Sequence, residues 1–404
     1  MHRMTDKGHP DAMHQQPTIS LQWQHRVSFT RSAFDTANPT LADALNAAAD
    51  APGKLLVAVD QGVAEAHPKL QRDIEQYLDH HRAAGRVLPK LAAFRAVPPG
   101  EPCKNDLSNL ENFLAEIDKT HLCRHSFILV IGGGAVLDMV GFAAAVAHRG
   151  VRLVRMPTTT LAQGDSGVGV KNSVNMFGKK NFLGSFAVPW AVVNDLSLLE
   201  TLDDREWRSG LSEAVKVALL KDAGLYRLIA SHAGQLARRD VPFADGVLQR
   251  SAALHLDHIV NGGDPFEATT ARPLDFGHWS AHKLEQITEF AVKHGEAVAI
   301  GLALDITYCE LLGMLPSETA QGIRDTLTTI GFDLWHPAMD DADTLLAGLE
   351  EFREHLGGTL TVLLLGGVGV GEDVHSMDLA VLDQCIAIMQ RCSQTSNFDL
   401  SQQV

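Results

Sequence analysis

The chain has 404 residues, more than one ordinary hydrophobic core requires, so we expect two domains. Hydrophobic residues make up 45% of it and charged residues 21%, as in a soluble globular protein. The net charge of −15, with no block of Lys and Arg, argues against nucleic acid or an anionic membrane surface as a partner. No apolar run is long enough to span a bilayer. We therefore expect a small-molecule partner, and neither nucleic acid nor a membrane.

The N-terminal segment and the cysteines bear on the cellular location. Residues 1–19 contain no apolar stretch of the kind found in secretory signals, so we expect a disordered tail there. The five cysteines are odd in number and widely spaced, and no two of them form a CxxC pair. This usage fits a reducing compartment, so we expect a cytoplasmic protein without a disulfide framework.

Strands and helices alternate in the first half of the chain. Three apolar runs predict buried strands, at 55–60 (LLVAVD), 126–134 (SFILVIGGG) and 151–157 (VRLVRMP). Helical periodicity lies between them, at 71–85 and 135–150. A strand, helix, strand order indicates a parallel α/β sheet, which we assign to a domain over residues 20–196.

The second half, residues 197–404, has a mainly helical pattern. Helical periodicity with few β-branched runs occurs at 204–234, 244–262, 276–290, 294–313 and 317–330. A short apolar run at 359–367 (TLTVLLLGG) is either a strand or part of a final packing layer. The sequence thus predicts an α/β domain followed by a mainly helical domain.

A glycine-rich turn, IGGGAVLD at 131–138, joins the second predicted strand to a helix. Glycines there let the backbone approach a pyrophosphate, and a helix N-terminus offers free N–H groups. The turn lacks the GxGxxG spacing, so a nucleotide site and a simple tight turn both remain open. Asp60, at the end of a strand, and Glu101 and Lys104, in a Pro-rich loop, are further candidates for nucleoside contacts.

The stretch 156–184 (MPTTTLAQGDSGVGVKNSVNMFGKKNFLG) is dense in polar side chains. It places Asp165, Lys171, Lys180 and Asn181 among spaced glycines. We interpret it as a long ordered loop, and such loops are usually functional. Lysines beside glycine-rich backbone suit a phosphorylated, hydroxyl-rich substrate, while a mobile surface loop is the alternative.

Three histidines raise the question of a metal site. His278 and His282, in DFGHWSAH, are spaced i,i+4 on a predicted helix and could chelate one ion together. His294 begins the later segment HGEAVAIG. Because Gly277 and Gly295 each adjoin one of these histidines, a purely structural role for all three is disfavoured.

Six motifs follow one another along the chain: GGGxxxDxxGFxAA, HRGVRxxxxPTTTLAQxDSxVGxK, GKxNxxGxF, SEAVKxxLL, GHxxxHxxE and HGEAVAIG. In this order they resemble 3-dehydroquinate synthase and the wider sugar phosphate cyclases, from about Asp60 to about Gly369. The nearest likeness within that group is the dehydroquinate-synthase-like member of Ebo-type gene clusters.

The resemblance implies a homodimer that binds NAD in the α/β domain and a divalent metal, zinc or alternatively cobalt, against the helical domain. The implied NAD contacts are Asp60, Glu101, Lys104, Gly133, Gly134, Asp138, Thr158, Thr159 and Lys180. The implied metal ligands are Glu213, His278 and His294, which assigns His282 to the substrate. The other implied substrate contacts are Asp165, Lys171, Lys216, Arg149 and Asn181.

The resemblance also implies a reaction. In this family NAD takes a hydride from a ring carbinol held on the metal, and phosphate is then eliminated. The hydride returns, the ring opens, and an intramolecular aldol step closes a carbocycle. The cofactor is regenerated, so no second substrate is expected.

Several positions depart from the dehydroquinate synthase pattern. Asp275 stands where that pattern has Asn, Arg272 is displaced by one position, and a Lys expected upstream of His278 is absent. In dehydroquinate synthases several of the cations that are missing here would contact the substrate carboxylate. An Asp close to that carboxylate would repel it. We therefore expect a C7 sugar phosphate without a carboxylate, such as sedoheptulose 7-phosphate, and include Asp275 and Arg272 among the substrate-site candidates.

Three alternatives remain open at this point. The first is a genuine 3-dehydroquinate synthase with a rearranged pocket. The second is a metal-dependent polyol dehydrogenase, which would release NADH. The third is a non-catalytic protein that binds NAD or a sugar phosphate, against which the joint presence of Glu213, His278, His294, Lys171 and Lys216 argues.

Overall fold

The computed structural model describes residues 17, 19–46, 53–262, 266, 274–355 and 358–400. Arg272 and nearly all of the predicted tail lie outside the described residues. The described residues of the first part form eight strands and six α-helices. In chain order these are β1 (Val27–Thr30), α1 (Thr40–Asn46), β2 (Lys54–Asp60), α2 (Gln61–Ala66), α3 (Leu70–Ala83), β3 (Lys90–Val97), α4 (Pro102–Asn105), α5 (Leu107–Lys119), β4 (Phe127–Gly132), α6 (Gly134–Val146), β5 (Arg152–Pro157), β6 (Lys171–Met176), β7 (Lys179–Phe186) and β8 (Ala191–Asp195).

Six of these strands form one sheet in the order β1-β8-β5-β4-β2-β3, and every pair in it is parallel. Helices cover both faces, which explains why β4 is apolar at every position and fully buried. Parallel strands end at the same edge, so Asp60, Gly132, Pro157 and Asp195 all lie along one side of the sheet. Ligands of open parallel sheets bind at this edge.

The stretch 156–184 is mostly not a loop, contrary to our expectation. A π-helical turn (Ala162–Ser166) follows β5, and β6 and β7 then pair as an antiparallel hairpin. Gly178, at φ 70°, lies in the turn of the hairpin. The polar side chains hid the strands. The side chain of Asn175, for example, is buried: its Nδ2 donates to Glu101 Oε1, and its Oδ1 accepts from Asn181 N across the hairpin.

The described residues of the second part are mainly helical and include a small hairpin. In chain order its elements are α7 (Asp204–Lys221), α8 (Ala223–Ser231), α9 (Ala233–Ala237), α10 (Val241–Asn261), α11 (His278–Ile287), α12 (His294–Leu311), α13 (Ser317–Ile330), α14 (Ala342–His355), β9 (Val362–Gly367), β10 (Val370–Val374) and α15 (Leu379–Leu400). Helix α12 is apolar on all sides and is buried from Ala297 to Cys309, as expected of a central helix. The neighbouring helices pack around it into one hydrophobic core, which in chain order begins at Leu196.

The structure confirms the predicted strands and helices, subdivides one helical segment, and resolves the run whose structure was left open. The pattern at 204–234 is three helices, because the Asp222 side chain accepts hydrogen bonds from Gly224 N and Leu225 N and so caps the start of α8. The run 359–367 contains the strand β9. Among the described residues, no helix combines the length and apolar character needed to cross a bilayer. The boundary near residue 196 stays a prediction.

Candidate functional site

The glycine turn lies where β4 ends and α6 begins, at the edge of the sheet that gathers the carboxyl ends of the strands. Gly133 is the N-cap of α6. A Cβ atom at Gly134 would lie 2.9 Å from Ser166 Oγ, and one at Gly133 would lie 3.3 Å from Thr159 Cγ2. The turn is therefore packed too closely for larger side chains, and its N–H groups stand at the N-terminus of a thirteen-residue helix. These features fit a pyrophosphate group.

Three further predicted cofactor residues adjoin this turn. Thr158 N donates to Gly132 O at 3.0 Å, and Thr159 Oγ1 accepts from Ala162 N at 3.1 Å. Asp60 Oδ1 accepts from Gly62 N at 2.8 Å, and burial raises the pKa of this carboxyl group. The end of β2, the end of β5 and the glycine turn thus form one continuous surface.

A buried lysine, itself a cofactor candidate, contacts two of the remaining ones. Lys104 Nζ lies 2.8 Å from Asp138 Oδ2 and also contacts Asn181 Oδ1. Glu101 Oε1 is 3.9 Å from the same ammonium and accepts from Asn175 Nδ2 at 2.7 Å. The structure therefore joins Glu101, Lys104 and Asp138 to the β6–β7 hairpin, together with Asn181, which the resemblance assigns to the substrate.

The three predicted metal ligands come from the starts of two helices and the middle of a third. Glu213 lies within α7, His278 is the first residue of α11, and His294 is the first of α12. One ligand atom from each lies within 4.8 Å of the others. Glu213 Oε1 is 3.3 Å from His278 Nε2 and 3.6 Å from His294 Nε2.

Hydrogen bonds on the far side of each ring orient both imidazoles. His278 Nδ1 donates to Phe276 O at 3.1 Å, because a carbonyl can only accept. His294 Nδ1 is paired with Glu285 Oε2 at 3.0 Å. Both Nε2 atoms therefore point towards Glu213, which is how imidazoles are held when they bind a metal.

The charge distribution also fits a cation. Glu213 is 1% exposed, and neither carboxylate oxygen has a hydrogen bond of good geometry, although Lys216 Nζ is 2.5 Å from Oε2. Burial alone would lower the pKa of His294, but the carboxylates of Glu285 and Glu213 outweigh it and raise that pKa to about 9. The centre therefore favours a positive charge, and one carboxylate with two imidazoles is a donor set that zinc accepts.

A second grouping overlaps the first. His282 Nδ1 or Nε2 lies within 4.8 Å of ligand atoms of Glu285 and His294. The His282 ring centroid is 5.4 Å from that of His278 and 5.9 Å from that of His294, on the exposed side. Glu285, however, also pairs with Lys180 Nζ at 2.9 Å. The assignment of His282 to the substrate thus stays a prediction, with geometry allowing either role.

The start of α11 is anchored to α12 by a buried carboxylate. Asp305 accepts from Gly277 N and from Trp279 Nε1, each at 2.9 Å. Gly277 adopts φ 76°, and a Cβ atom there would lie 2.6 Å from Leu302 N, so the turn that presents His278 requires glycine. Sequence reasoning missed Asp305, although a lone charge inside an apolar helix was an available signal.

The predicted substrate residues Asp165 and Lys216 lie beside the candidate metal ligands. Burial would lower the pKa of Lys216, but Glu213, Asp165 and Asp275 raise it and keep the ammonium charged. Asp165, in the π-helical turn, is 2.9 Å from His255 Nε2 on α10. No sequence pattern indicated His255.

Lys171 and Asp275 border the same region. Lys171 is exposed at the start of β6, and its carbonyl accepts from Arg155 Nη2 at 2.9 Å. The Arg155 guanidinium is fully buried and also donates to Gly169 O at 2.8 Å, so it fixes the backbone between Asp165 and Lys171. Asp275 is partly buried, and its carbonyl accepts from His278 N at 2.8 Å.

Among the described candidates, Arg149 lies far from the other substrate-site residues of the same chain. It follows α6 at the edge where β4 and β5 begin, opposite the edge with the glycine turn. Arg149 and the preceding His148 both have positive φ, 63° and 53°. Its assignment to the substrate stays a prediction.

Comparison with known proteins gives consistent matches along the chain. The family models for the 3-dehydroquinate synthase N-terminal and C-terminal domains match residues 94–209 and 210–351. The chain is 32% identical over 381 residues to 2-epi-5-epi-valiolone synthase of Streptomyces glaucescens, covering 92% of this chain and 93% of that protein. It is 34% identical over 287 residues to 3-dehydroquinate synthase of Coxiella burnetii (strain RSA 331 / Henzerling II), covering 70% and 79%.

A solved structure agrees with these matches. ValA (2-epi-5-epi-valiolone synthase) from Streptomyces hygroscopicus subsp. jinggangensis 5008, determined with NAD+ and Zn2+ bound, superposes with a TM-score of 0.82 at 27% identity. The match covers 93% of this chain and 99% of that one. The valiolone synthase and the dehydroquinate synthase are about equally identical to this chain, at 32% and 34%. Overall identity therefore does not distinguish their two substrates.

Proposed function

Because this chain belongs to the 3-dehydroquinate synthase family of sugar phosphate cyclases, we propose that it converts a phosphorylated C7 ketose to a carbocycle. The observation that carries the proposal is the convergence of Glu213, His278 and His294 within 4.8 Å, next to Lys216 and Asp165. This convergence combines a metal-type donor set with a cation and a carboxylate beside it. A bare NAD-binding protein would need none of these groups.

Glu213, His278 and His294 would hold the divalent metal, with zinc as first choice and cobalt as the alternative. Two imidazoles and one carboxylate leave coordination positions open for substrate hydroxyl groups. When bound, the metal would supply Lewis-acid polarisation of a substrate hydroxyl. Phe276 O and Glu285 would keep the two imidazoles aimed at it.

NAD would lie along the edge formed by Asp60, the glycine turn and the end of β5. The N-terminus of α6 would face the pyrophosphate, and Asp60 would accept from a ribose hydroxyl. When bound, NAD would supply the hydride acceptor and return the hydride within the same turnover. Lys104 and Lys180 would line the side formed by the hairpin.

The chain's own side chains would bind and orient the sugar phosphate. Lys171, exposed at the start of β6, would approach the phosphate, and Lys216 Nζ would hold a proton beside the reacting hydroxyl groups. Asp165 would accept a proton from the substrate at a carboxylate oxygen. His282 would lie at the exposed side of the same site.

Sedoheptulose 7-phosphate is the substrate that we propose. Its non-phosphorylated end carries no charge, whereas the substrate of 3-dehydroquinate synthase carries a carboxylate. Asp275 lies close enough to Lys216 for the two charges to interact, so a substrate carboxylate there would meet a negative charge already in place. An unpaired charge in a buried site costs several kcal/mol, on the order of a thousandfold in rate.

We also propose a cytoplasmic homodimer. None of the five cysteines, all of which the structure describes, forms a disulfide, which suits a reducing compartment. Arg149 lies at the opposite edge of the sheet, so it would reach a substrate only in the site of a second copy. Mixing inactive Arg149→Ala and His294→Ala subunits tests this, since recovery of phosphate release requires one intact site shared by two chains. No recovery in dimers shown to be mixed would restrict Arg149 to its own chain.

The deciding experiment supplies NAD, a divalent metal and a panel of sugar phosphates, and follows phosphate release and NADH absorbance together. A cyclase releases phosphate without net NADH, whereas a polyol dehydrogenase accumulates NADH and releases no phosphate. Comparing kcat/KM for sedoheptulose 7-phosphate and for the carboxylated substrate distinguishes a cyclase of C7 sugar phosphates from a 3-dehydroquinate synthase. A higher value for the carboxylated substrate would identify a 3-dehydroquinate synthase with a rearranged pocket.

A further inference from the structure

His255 lies at the junction between the α/β part of the chain and the helices. It projects from α10, and its Nε2 is 2.9 Å from Asp165 Oδ1 in the π-helical turn. Both side chains are partly buried, at 17% and 22% exposed. Because an ionised carboxylate can only accept, the proton of this contact is on Nε2 of His255.

Three charged or titratable side chains act on Asp165. His255 faces it from α10, and Lys216 and Glu213 act on it from α7. Burial would raise the pKa of Asp165, but His255, with help from Lys216, holds that pKa below its ordinary value despite repulsion from Glu213. Asp165 is therefore ionised at neutral pH, beside one of the candidate metal ligands.

The other face of the imidazole shows that packing alone does not account for it. Nδ1 of His255 is buried and has no hydrogen-bond partner among the described residues. One turn earlier on α10, Ser251 Oγ is in the same condition. Buried polar atoms without partners cost about 1–3 kcal/mol each, so an apolar side chain at position 255 would suit folding better. What His255 contributes is its contact with Asp165.

We propose that His255 is a positioning residue for Asp165, and that its Nε2–H fixes the carboxylate towards the substrate beside Lys216. The inference rests on the proposed function, because it takes Asp165 to contact the sugar phosphate. His255 touches none of the candidate metal or NAD residues through a described contact, so it affects turnover rather than cofactor binding.

Two substitutions separate positioning from packing. His255→Leu removes the donor, whereas His255→Gln keeps an N–H at a similar reach but has no titratable ring. Misplacing a catalytic group by about 1 Å costs about a hundredfold, so His255→Leu should lower kcat for phosphate release about 100-fold. The acid limb of its kcat/KM profile should move to higher pH, because Asp165 loses a group that lowers its pKa.

The conservative variant and a control complete the test. His255→Gln should recover kcat to within about tenfold of the wild type, since the hydrogen bond to Asp165 is restored. Zinc and NAD affinities should be unchanged in both variants. His258→Gln, one turn further along α10, is the matched control and should behave as wild type. A folded His255→Leu with wild-type kcat and pH profile would overturn the proposal, as would a loss that His255→Gln does not repair.

A spectroscopic readout separates this proposal from the proposed function. In one-dimensional proton spectra, an imidazole N–H bonded to a carboxylate resonates far downfield. His255→Gln and Asp165→Asn should both remove the same resonance. If the wild type releases phosphate from no sugar phosphate, the proposed function fails while this contact is still tested. A His255 resonance that persists unshifted in Asp165→Asn would refute the contact itself.

Discussion

Replacing Glu285 by glutamine should weaken both metal binding and NAD binding, because one carboxylate serves a predicted residue of each site. Glu285 Oε1 pairs with Lys180 Nζ at 2.9 Å, and Oε2 pairs with His294 Nδ1 at 3.0 Å. The side chain is 4% exposed, so water cannot easily replace either contact. Lys180 comes from the hairpin and His294 from α12, so this carboxylate links the two parts of the chain.

The magnitude follows from the geometry of the replacement. A glutamine amide has one acceptor oxygen, and its NH2 group faces a donor whichever way the amide is turned. Either the Lys180 ammonium or the His294 N–H therefore loses its acceptor, and the other keeps only a neutral amide oxygen, which is a weaker acceptor than a carboxylate. Loss of an outer partner of a metal-binding histidine costs about 10–100-fold in metal affinity, or about 1.4–2.8 kcal/mol. We expect zinc affinity to fall by that factor, and NAD affinity to fall by about tenfold through Lys180.

Competition with a chromophoric chelator measures the zinc affinity, and titration calorimetry measures the NAD affinity. Glu289→Gln is the matched control, since Glu289 is an exposed carboxylate just beyond α11. It should leave both affinities unchanged. A folded Glu285→Gln protein with wild-type affinity for both zinc and NAD would show that this carboxylate supports neither site.

Three further substitutions test single assignments. His294→Ala should abolish metal binding and phosphate release together, as metal analysis and activity would show, and full metal occupancy would make His282 the better ligand. Gly133→Val should weaken NAD binding at least about tenfold, because even a Cβ atom there lies 3.3 Å from Thr159 Cγ2; unchanged affinity in a titration would make the turn merely structural. Asp275→Asn should raise kcat/KM for the carboxylated substrate about tenfold relative to sedoheptulose 7-phosphate, and steady-state kinetics showing no change would exclude repulsion as the cause.

The parts of the fold that local pattern controls were predictable from the sequence. The run 126–134 is apolar at every strand position because helices cover both faces of β4, and this burial is visible as composition. Helix α12 likewise shows its central place through its lack of a polar face. The hairpin was not predictable in this way, because its polar residues are satisfied by Glu101 and Lys104, which come from another part of the chain.

In the candidate site, too, sequence motifs indicated individual residues but not the contacts between distant parts of the chain. Glu285 stood in the motif GHxxxHxxE, at a spacing that puts it near His282 on one helix face, yet its link to Lys180 depends on how the hairpin meets α11. The contact of His255 with Asp165 joins a helix to a turn from a different part of the chain, and no spacing rule connects them. Sequence motifs thus indicate which residue types are present, while the packing of the helices determines which of them meet.

The charges around Lys216 explain why this site would disfavour a carboxylate at one end of a substrate and still accept a phosphate at the other end. Its ammonium group is 2.5 Å from Glu213 Oε2 and is stabilised further by Asp165 and Asp275. Three carboxylates already share this one cation, so little of its charge is left to attract a fourth. We propose above that the phosphate is bound elsewhere, at Lys171, which is exposed at the start of β6. A ligand with an anionic phosphate at one end and neutral hydroxyl groups at the other therefore matches this site better than a ligand with an anion at each end.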